Sequence, residues 1–442
     1  MSASKPHVIC VGGGFTGLAA AHDLAASGLR VMVLEKEGYA GGLAASFDLD
    51  GRPLERFYHH WFNNDRDILN LIGELGCSGS ILPRPTKTGI YVNARFYRLS
   101  TPMDLLRFSP LGLIDRVRMG LLVLRAQRVK DWKSLESLTA EEWLINLCGR
   151  KVYETVWRPL LRGKFGPCAP EISAVWMWNK LALRGGSRGK SGQEELLYYQ
   201  GGFESLIRRL AEKIRAFGGE IHTGAEVAGL VTGNGAVKGV KMAGGEIFPA
   251  DAVLLCLPLP GAAKLMAGHA PQDYLAKLSS IKYLANVCLV LVMDRKLSDF
   301  YWLNVADPDF PYVGIIEHTN MEPPSTYGGK HIVYLSKYLP ETEALFTMDP
   351  EQVYQHSLPH LKRLFPEFSE SMITGYQVFR SRFSQPVVVR NYSRLIPDAA
   401  TPVKNLILAT MAQIYPEDRG SSYAVREGRK AAAMIKSLLK SG

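Results

Sequence analysis

The sequence predicts an α/β protein in which a parallel sheet carries an inserted α+β portion, and three observations predict it. First, the apolar run His7-Val8-Ile9-Cys10-Val11 is followed by the glycine-rich turn Gly12-Gly13-Gly14-Phe15-Thr16-Gly17. A small-residue helical pattern from about Phe15 to Ser27 then leads to the run Leu29 to Leu34. Strand, tight turn, helix, strand is the order of a parallel βαβ unit. Second, Gly201-Gly202-Phe203 opens the helical pattern Leu206, Ile207, Leu210, Ile214, which Gly218-Gly219 closes before Glu220-Ile221-His222. Another strand is expected at Ala252 to Leu257, stopped by Pro258 and Pro260. Third, Asn405 to Thr410 reads as a short buried strand, and Tyr423 to Leu439 has helical spacing with Arg426, Arg429 and Lys430 on its polar side.

These last pieces are expected to return to the sheet begun at residue 6. Two insertions lie between them, one helical and aromatic, the other rich in strands. The expected organisation is a discontinuous first domain, 1–85, 200–262 and 385–442, with a second domain from 86–199 and 263–384. Leu183 to Ser191, rich in Gly, Ser and basic residues, is expected to be a mobile loop.

With 442 residues, 47% hydrophobic and 21% charged, the composition excludes a disordered chain and allows two domains. No run of 18 apolar residues appears, and Met1-Ser2-Ala3-Ser4-Lys5-Pro6 leads into a strand and not into a signal sequence, so a cytoplasmic protein is expected. The six cysteines form no CxxC pair, which argues for reduced thiols. The net charge of +10 identifies no partner by itself, and none of its features indicates a nucleic acid. Its distribution says more: residues 95–133 hold nine basic side chains against three acidic ones.

Chemistry starts at the glycine turn. Gly12 allows the tight turn, Gly14 lets the backbone approach a pyrophosphate, and Gly17 permits close packing of the helix, whose N-terminus offers N–H groups and a positive dipole end to an anion. Phe15 and Thr16 lie within that anion-facing turn. Glu35 follows at the end of the second strand, where a carboxylate accepts both ribose hydroxyls of an adenosine and disfavours a 2′-phosphate.

The segment Glu35-Lys36-Glu37-Gly38-Tyr39-Ala40-Gly41-Gly42-Leu43 resembles the flavoproteins that include amine oxidases, protoporphyrinogen oxidases and phytoene desaturases. That resemblance implies a two-dinucleotide-binding (Rossmann-like) FAD domain with an inserted α+β substrate domain. It implies contacts to FAD from Lys36, Leu43 and the backbones of Gly41 and Gly42. Tyr199-Gln200-Gly201-Gly202-Phe203 is similar to a further element of the group, and Gly224-Ala225-Glu226-Val227 implies that Val227 reaches the adenine through its backbone. Trp157 to Gly166 is similar to a substrate-domain segment of protoporphyrinogen-oxidase-like members. Where the group usually carries Gly-Asp or Gly-Asn after the last strand, this chain has Thr410-Met411, which puts the contact from Thr410 in doubt. The stretch Tyr415 to Val425 again resembles the group's last loop and helix start, implying that Gly420, Ser421, Ser422 and Tyr423 face the flavin. No cysteine stands there for covalent attachment.

Arg56-Phe57-Tyr58-His59-His60-Trp61 is a dense cluster. Neighbouring residues on a strand point to opposite faces and no third ligand is close in sequence, so no metal is expected. The segment is similar to a His-aromatic stretch of UDP-galactopyranose mutases, which implies that His60 hydrogen-bonds near the flavin ring and Trp61 stacks on it. His60, Tyr415 and Tyr423 are the catalytic candidates by position, and Lys282 is a weaker match to a lysine that some amine oxidases place near flavin N5.

The expected function is transfer of a hydride from a hydrophobic or cyclic substrate to the flavin, by an oxidase or a desaturase. A redox-neutral mutase and a protein that keeps flavin without turnover are the alternatives. The basic stretch 95–133 fits three roles: a solvated or interdomain helix, a membrane-surface contact, or a site for an anionic substrate. Around the helix, apolar residues occur on most sides, so its separation into faces looks poor.

Overall fold

A computed structural model describes residues 5–184 and 194–441 of the chain. Its centre is a five-stranded parallel sheet in the order Leu406–Leu408, Ala252–Leu255, His7–Val11 (β1), Arg30–Leu34 (β2) and Glu220–His222. β1 and Ala252–Leu255 are wholly buried, as expected of parallel strands covered on both faces. The helix Phe15–Ala26 (α1) packs against Gly202–Ala216 on one side and the carboxy-terminal helix Ser421–Ser441 on the other. Each expected element of this sheet is present, with ends that differ from the sequence reading by one to two residues.

The second layer is a seven-stranded sheet in the order Ile373–Pro386, Tyr283–Met293, His331–Leu339, Gly314–Glu317, Trp302–Val305, Thr88–Val92 and Arg95–Arg98. Only Trp302–Val305 and Thr88–Val92 run parallel. Helices between residues 102 and 184 cover one end, and their core is aromatic: Trp143, Tyr153, Trp157, Phe165 and Trp176 are buried together. The expected loop Leu183 to Ser191 falls largely outside the described residues. Leu183 and Arg184 end the helix Ala174–Arg184.

One buried glutamate links the helix Gly202–Ala216, which packs on α1, to the seven-stranded sheet. Glu55, at the end of Arg52–Glu55, accepts from the Tyr198 hydroxyl at 2.7 and 2.9 Å and from the Phe203 N–H at 2.7 Å, while its own carbonyl accepts from the Tyr334 hydroxyl at 2.8 Å. Phe203 lies in the first turn of Gly202–Ala216, where an anion is favoured by the free N–H groups and the helix dipole. Burial raises the Glu55 pKa, and the bonds from Phe203 and Tyr198 pull it back. Replacing Glu55 by Gln keeps an acceptor oxygen for these donors and is expected to cost about 1 kcal/mol. Glu55→Ala leaves two buried donors unsatisfied and is expected to cost about 3 kcal/mol or more, read from urea unfolding midpoints.

Candidate flavin site

The glycine turn is held by its surroundings on three sides. Gly12 has φ +110°, and a Cβ there would stand 2.7 Å from the Cys256 carbonyl oxygen; one on Gly17 would stand 2.0 Å from the carbonyl oxygen of Gly12. Gly14 differs, because a Cβ built there meets nothing within 4 Å. The first two glycines therefore let the chain touch itself, and the third faces open space at the N-terminus of α1.

The second glycine pair closes on that space. The Gly41 N–H donates to the Gly13 carbonyl at 2.8 Å, and a Cβ on Gly42 would come within 3.4 Å of the Gly14 Cα. Two stretches of backbone without side chains thus lie edge to edge. Leu43 is half-buried beside them, and Lys36 extends to solvent with its ammonium 3.4 Å from Glu37. Glu35 is buried where the strand ends. Its carboxylate accepts from Gly13 N–H at 2.7 Å and Glu37 N–H at 2.9 Å, which aims it at the mouth of the turn. Its carbonyl accepts from Ala225 N–H at 2.8 Å, bringing the segment leading to Val227 alongside.

The opposite end is built by the carboxy-terminal helix. Its first turn carries Ser421, Ser422 and Tyr423 just after the exposed Gly420, and the opening N–H groups of a helix have no partners within it. The two serine side chains are spent on the fold: Ser421 Oγ accepts from Trp61 Nε1 at 2.7 Å and Ser422 Oγ from Ile68 N–H at 3.3 Å. Phe15 is buried edge-on to Phe203, and Thr16 is half-buried next to it.

Trp61 does not stack as expected, and the other candidates stand in varied surroundings. Trp61 is 1% exposed and packs tilted on Phe203 at 4.3 Å, so it has no free face on which a ring could stack. Thr410 is buried as the cap of the turn Met411–Gln413, its N–H donating to Gln413 Oε1 at 2.8 Å. Lys282 is exposed, with its ammonium 3.8 Å from Glu171. The Tyr415 hydroxyl is bonded to Glu136, and its ring packs between Trp132 and Tyr392, which makes it part of the wall that supports the last loop. Burial, and then the Glu136 carboxylate, push its pKa up. Tyr423 is half-buried with the Arg426 guanidinium 4.9 Å from its ring, and burial likewise raises its pKa.

His60 stands within an aromatic group. The Tyr301 hydroxyl is 2.8 Å from His60 Nδ1, and the rings of Phe62, Tyr301 and Trp302 meet the imidazole edge to face at 5.3, 5.6 and 6.2 Å. Tyr58 joins them against Trp302 at 5.0 Å. Burial lowers the His60 pKa to about 3 and that of His59, bonded to the Phe57 carbonyl, to about 4. Both rings are neutral at physiological pH, and His60 offers a hydrogen-bonding nitrogen there. Sequence reasoning missed Trp302 as a neighbour of His60, and it gave no role to Lys164, Lys180 and Asp418, which meet in one ion-pair cluster. Lys164 and Asp418 lie in segments singled out as motifs, whereas Lys180 carries no local signal.

These features define a dinucleotide-binding oxidoreductase fold. The comparisons agree. Residues 15–436 match the family described as flavin containing amine oxidoreductase, and the chain belongs to that family. A 15-cis-phytoene desaturase from Glycine max is 21% identical over 92% of this chain and 75% of its own length. A coproporphyrinogen III oxidase from Propionibacterium freudenreichii is 24% identical over 61% of this chain and 60% of its own length. A reduced UDP-galactopyranose mutase shares the fold at a TM-score of 0.74 and 14% identity, with 98% of this chain and 96% of that one covered.

The cofactor is FAD, and the residues present fit it. Gly14 leaves room where a side chain would stand, the Gly41-Gly42 backbone faces it, and Glu35 offers a buried carboxylate. Gly14→Ala is expected to fold with an unchanged melting temperature and to lose bound flavin at least tenfold, because the new methyl enters the cofactor's space. Gly17→Ala, which meets backbone 2.0 Å away, is expected to lower stability by about 3 kcal/mol as well. Flavin absorbance per protein and thermal melts separate the two.

Proposed function

We propose that this oxidoreductase is an oxidase or desaturase of a hydrophobic or cyclic substrate, held against the aromatic group of Tyr58, His60 and Trp302. The observation that carries this reading is the placement of that group: Tyr58 and the neutral His60 lie in the chain segment pinned by Trp61 to the first turn of the carboxy-terminal helix, and Trp302 meets both rings. Bound FAD would accept a hydride from a substrate C–H bond at N5. The protein's part is then to hold and orient. The backbones of Gly12 to Gly14 and of Gly41 and Gly42 would take the diphosphate, Glu35 the ribose, and the segment at Val227 the adenine. Gly420 to Tyr423 would present N–H groups to the flavin pyrimidine, which favours negative charge there. His60, kept neutral, offers a hydrogen bond beside the reacting carbon, and the surrounding rings exclude water.

The test is to purify the protein with its flavin and follow bleaching of the visible band anaerobically against a panel of hydrophobic and cyclic substrates. Bleaching with stoichiometric oxidised product supports the reading. Product formed only by prereduced protein, with no net electron transfer, assigns a redox-neutral mutase instead.

The same reading extends to the basic stretch. The helix Leu113–Arg128 has two apolar faces. Leu122 and Ala126 are buried, while Leu113, Ile114 and Val117, exposed at 73, 71 and 55%, line up with Leu121 and Leu124 on the other side. Spacings of three and four place these five on one face, and the arginines flank it. Met103 and Leu106 on the preceding helix Pro102–Leu106 are exposed as well. This explains why the sequence pattern looked unsegregated. No helix among the described residues is long and apolar enough to cross a membrane. An exposed apolar face with a basic rim suits an anionic membrane surface. The protein is expected to float with vesicles containing phosphatidylglycerol and not with neutral ones, and Ile114→Glu/Val117→Glu to reduce the bound fraction about tenfold. A dimer in solution that ignores vesicles would mean that a second copy of the chain covers this face.

A further inference from the structure

Just before the carboxy-terminal helix, the chain buries a carboxylate among more cations than it can neutralise. Asp418, 5% exposed, has Lys164 Nζ at 3.0 Å and Lys180 Nζ at 2.7 Å on the same oxygen. Its other oxygen accepts from the Arg419 N–H at 3.0 Å and from Gln385 Nε2 at 3.2 Å. The Arg419 side chain does not pair with it but donates to Gln385 Oε1 at 3.1 Å and to the Tyr338 hydroxyl at 2.6 Å. Among the described residues no second carboxylate forms an ion pair with either lysine or with Arg419. Asp65, which also acts electrostatically on Lys180, already accepts the Phe62 N–H at 2.8 Å.

Asp418 is buried, while the Lys164 and Lys180 side chains are 21% and 38% exposed, so the cluster lies partly open and not sealed in the core. Burial and mutual repulsion lower the pKa values of both lysines, while Asp418 pulls them back up. Burial would raise that of Asp418, yet the surrounding cations hold it well below the usual carboxylate range. With both lysines protonated, the cluster sets three cations against Asp418, with Asp65 as a further carboxylate coupled to Lys180.

Its position says where that charge is used. Asp418 and Arg419 directly precede Gly420 and the helix end assigned to the flavin. Lys180 acts electrostatically on His60, Arg419 on His59, and Tyr338 reaches Tyr58. Lys164 lies 4.9 Å from the Trp176 ring, which fixes its stem on the aromatic core. The cations thus border the Tyr58, His60 and Trp302 wall.

We propose that Lys164 and Lys180, held side by side by Asp418, bind a carboxylate of the substrate whose apolar body lies on that wall. The substrate class becomes a carboxylated hydrophobic or cyclic molecule, an assignment that rests on the oxidoreductase reading above. Asp418 is the positioning residue: it keeps two ammonium groups together without cancelling their charge. A ligand that places its carboxylate here is oriented by two points, and only one edge of it faces the flavin.

The experiment uses the flavin-loaded protein and two probes of nearly equal shape, benzoate and neutral benzamide, measured by titration calorimetry. Benzoate is expected to bind saturably and benzamide at least tenfold more weakly. Lys180→Met is expected to weaken benzoate about tenfold and leave benzamide unchanged, and Lys180→Arg to restore benzoate to within about threefold. Equal binding of the two probes, or benzoate affinity unchanged in Lys180→Met, overturns the proposal. A flavin midpoint potential that falls in Lys180→Met while benzoate binding persists also overturns it, by assigning the charge to the cofactor. Bleaching by a panel substrate is read separately, so loss of the anion site and failure of the oxidoreductase reading give different results.

Discussion

Helix α1 is in direct backbone contact with the turn that begins it and with the carboxy-terminal helix, and the rest of the site follows from that constraint. At Gly17 the helix touches the turn that begins it, with room for no side chain, and at Gly428 the carboxy-terminal helix touches α1 just as closely: a Cβ there would stand 2.3 Å from the Thr16 carbonyl oxygen. Interiors are packed too densely to absorb such an intrusion. The N-terminus of α1 is thereby fixed relative to the sheet, to Glu35 and to the second glycine pair. The same contact sets the axis of the last helix, whose first turn builds the far end of the flavin site.

Two buried carboxylates show how similar groups serve different ends. Glu55 is satisfied by neutral donors, a hydroxyl and a backbone N–H, and no cation among the described residues pairs with it. Its surroundings accept one charge and close over it. Asp418 sits among cations that exceed it, in a place next to the reacting end of the site. A group with balanced partners holds a fold together, and a group with surplus partners leaves something to bind.

The nucleotide end of the site was legible in the sequence because its physics is local. A tight turn needs glycine at Gly12, a strand end places Glu35, and both lie within one βαβ unit, so spacing alone predicts their neighbours. The proposed reacting end was not legible, because the residues assigned to it come from 58–65, 164–180, 301–302, 338, 385 and 418–423. Lys180 and Asp418 meet only once the helical layer has packed over both sheets. Trp61 misled for a related reason: aromatic residues near a motif are read as ring-stacking groups, whereas Phe203 and Ser421, far off in sequence, claim both its face and its N–H. Helix Leu113–Arg128 looked unsegregated because a wheel shows where apolar residues lie and not which of them find a partner.

The order of strands in the parallel sheet has a consequence for synthesis. β1 and β2 are made first, the strands at 220–222 and 252–255 follow some two hundred residues later, and the strand at 406–408 comes almost last. An edge of the sheet therefore stays open until residue 408 has been made, and the helix that carries Gly428 follows it. Such long-range closure is slow, and it leaves hydrophobic strands uncovered in the meantime. A chain made only as far as the strand at 252–255 presents half of a dinucleotide cradle but not the whole.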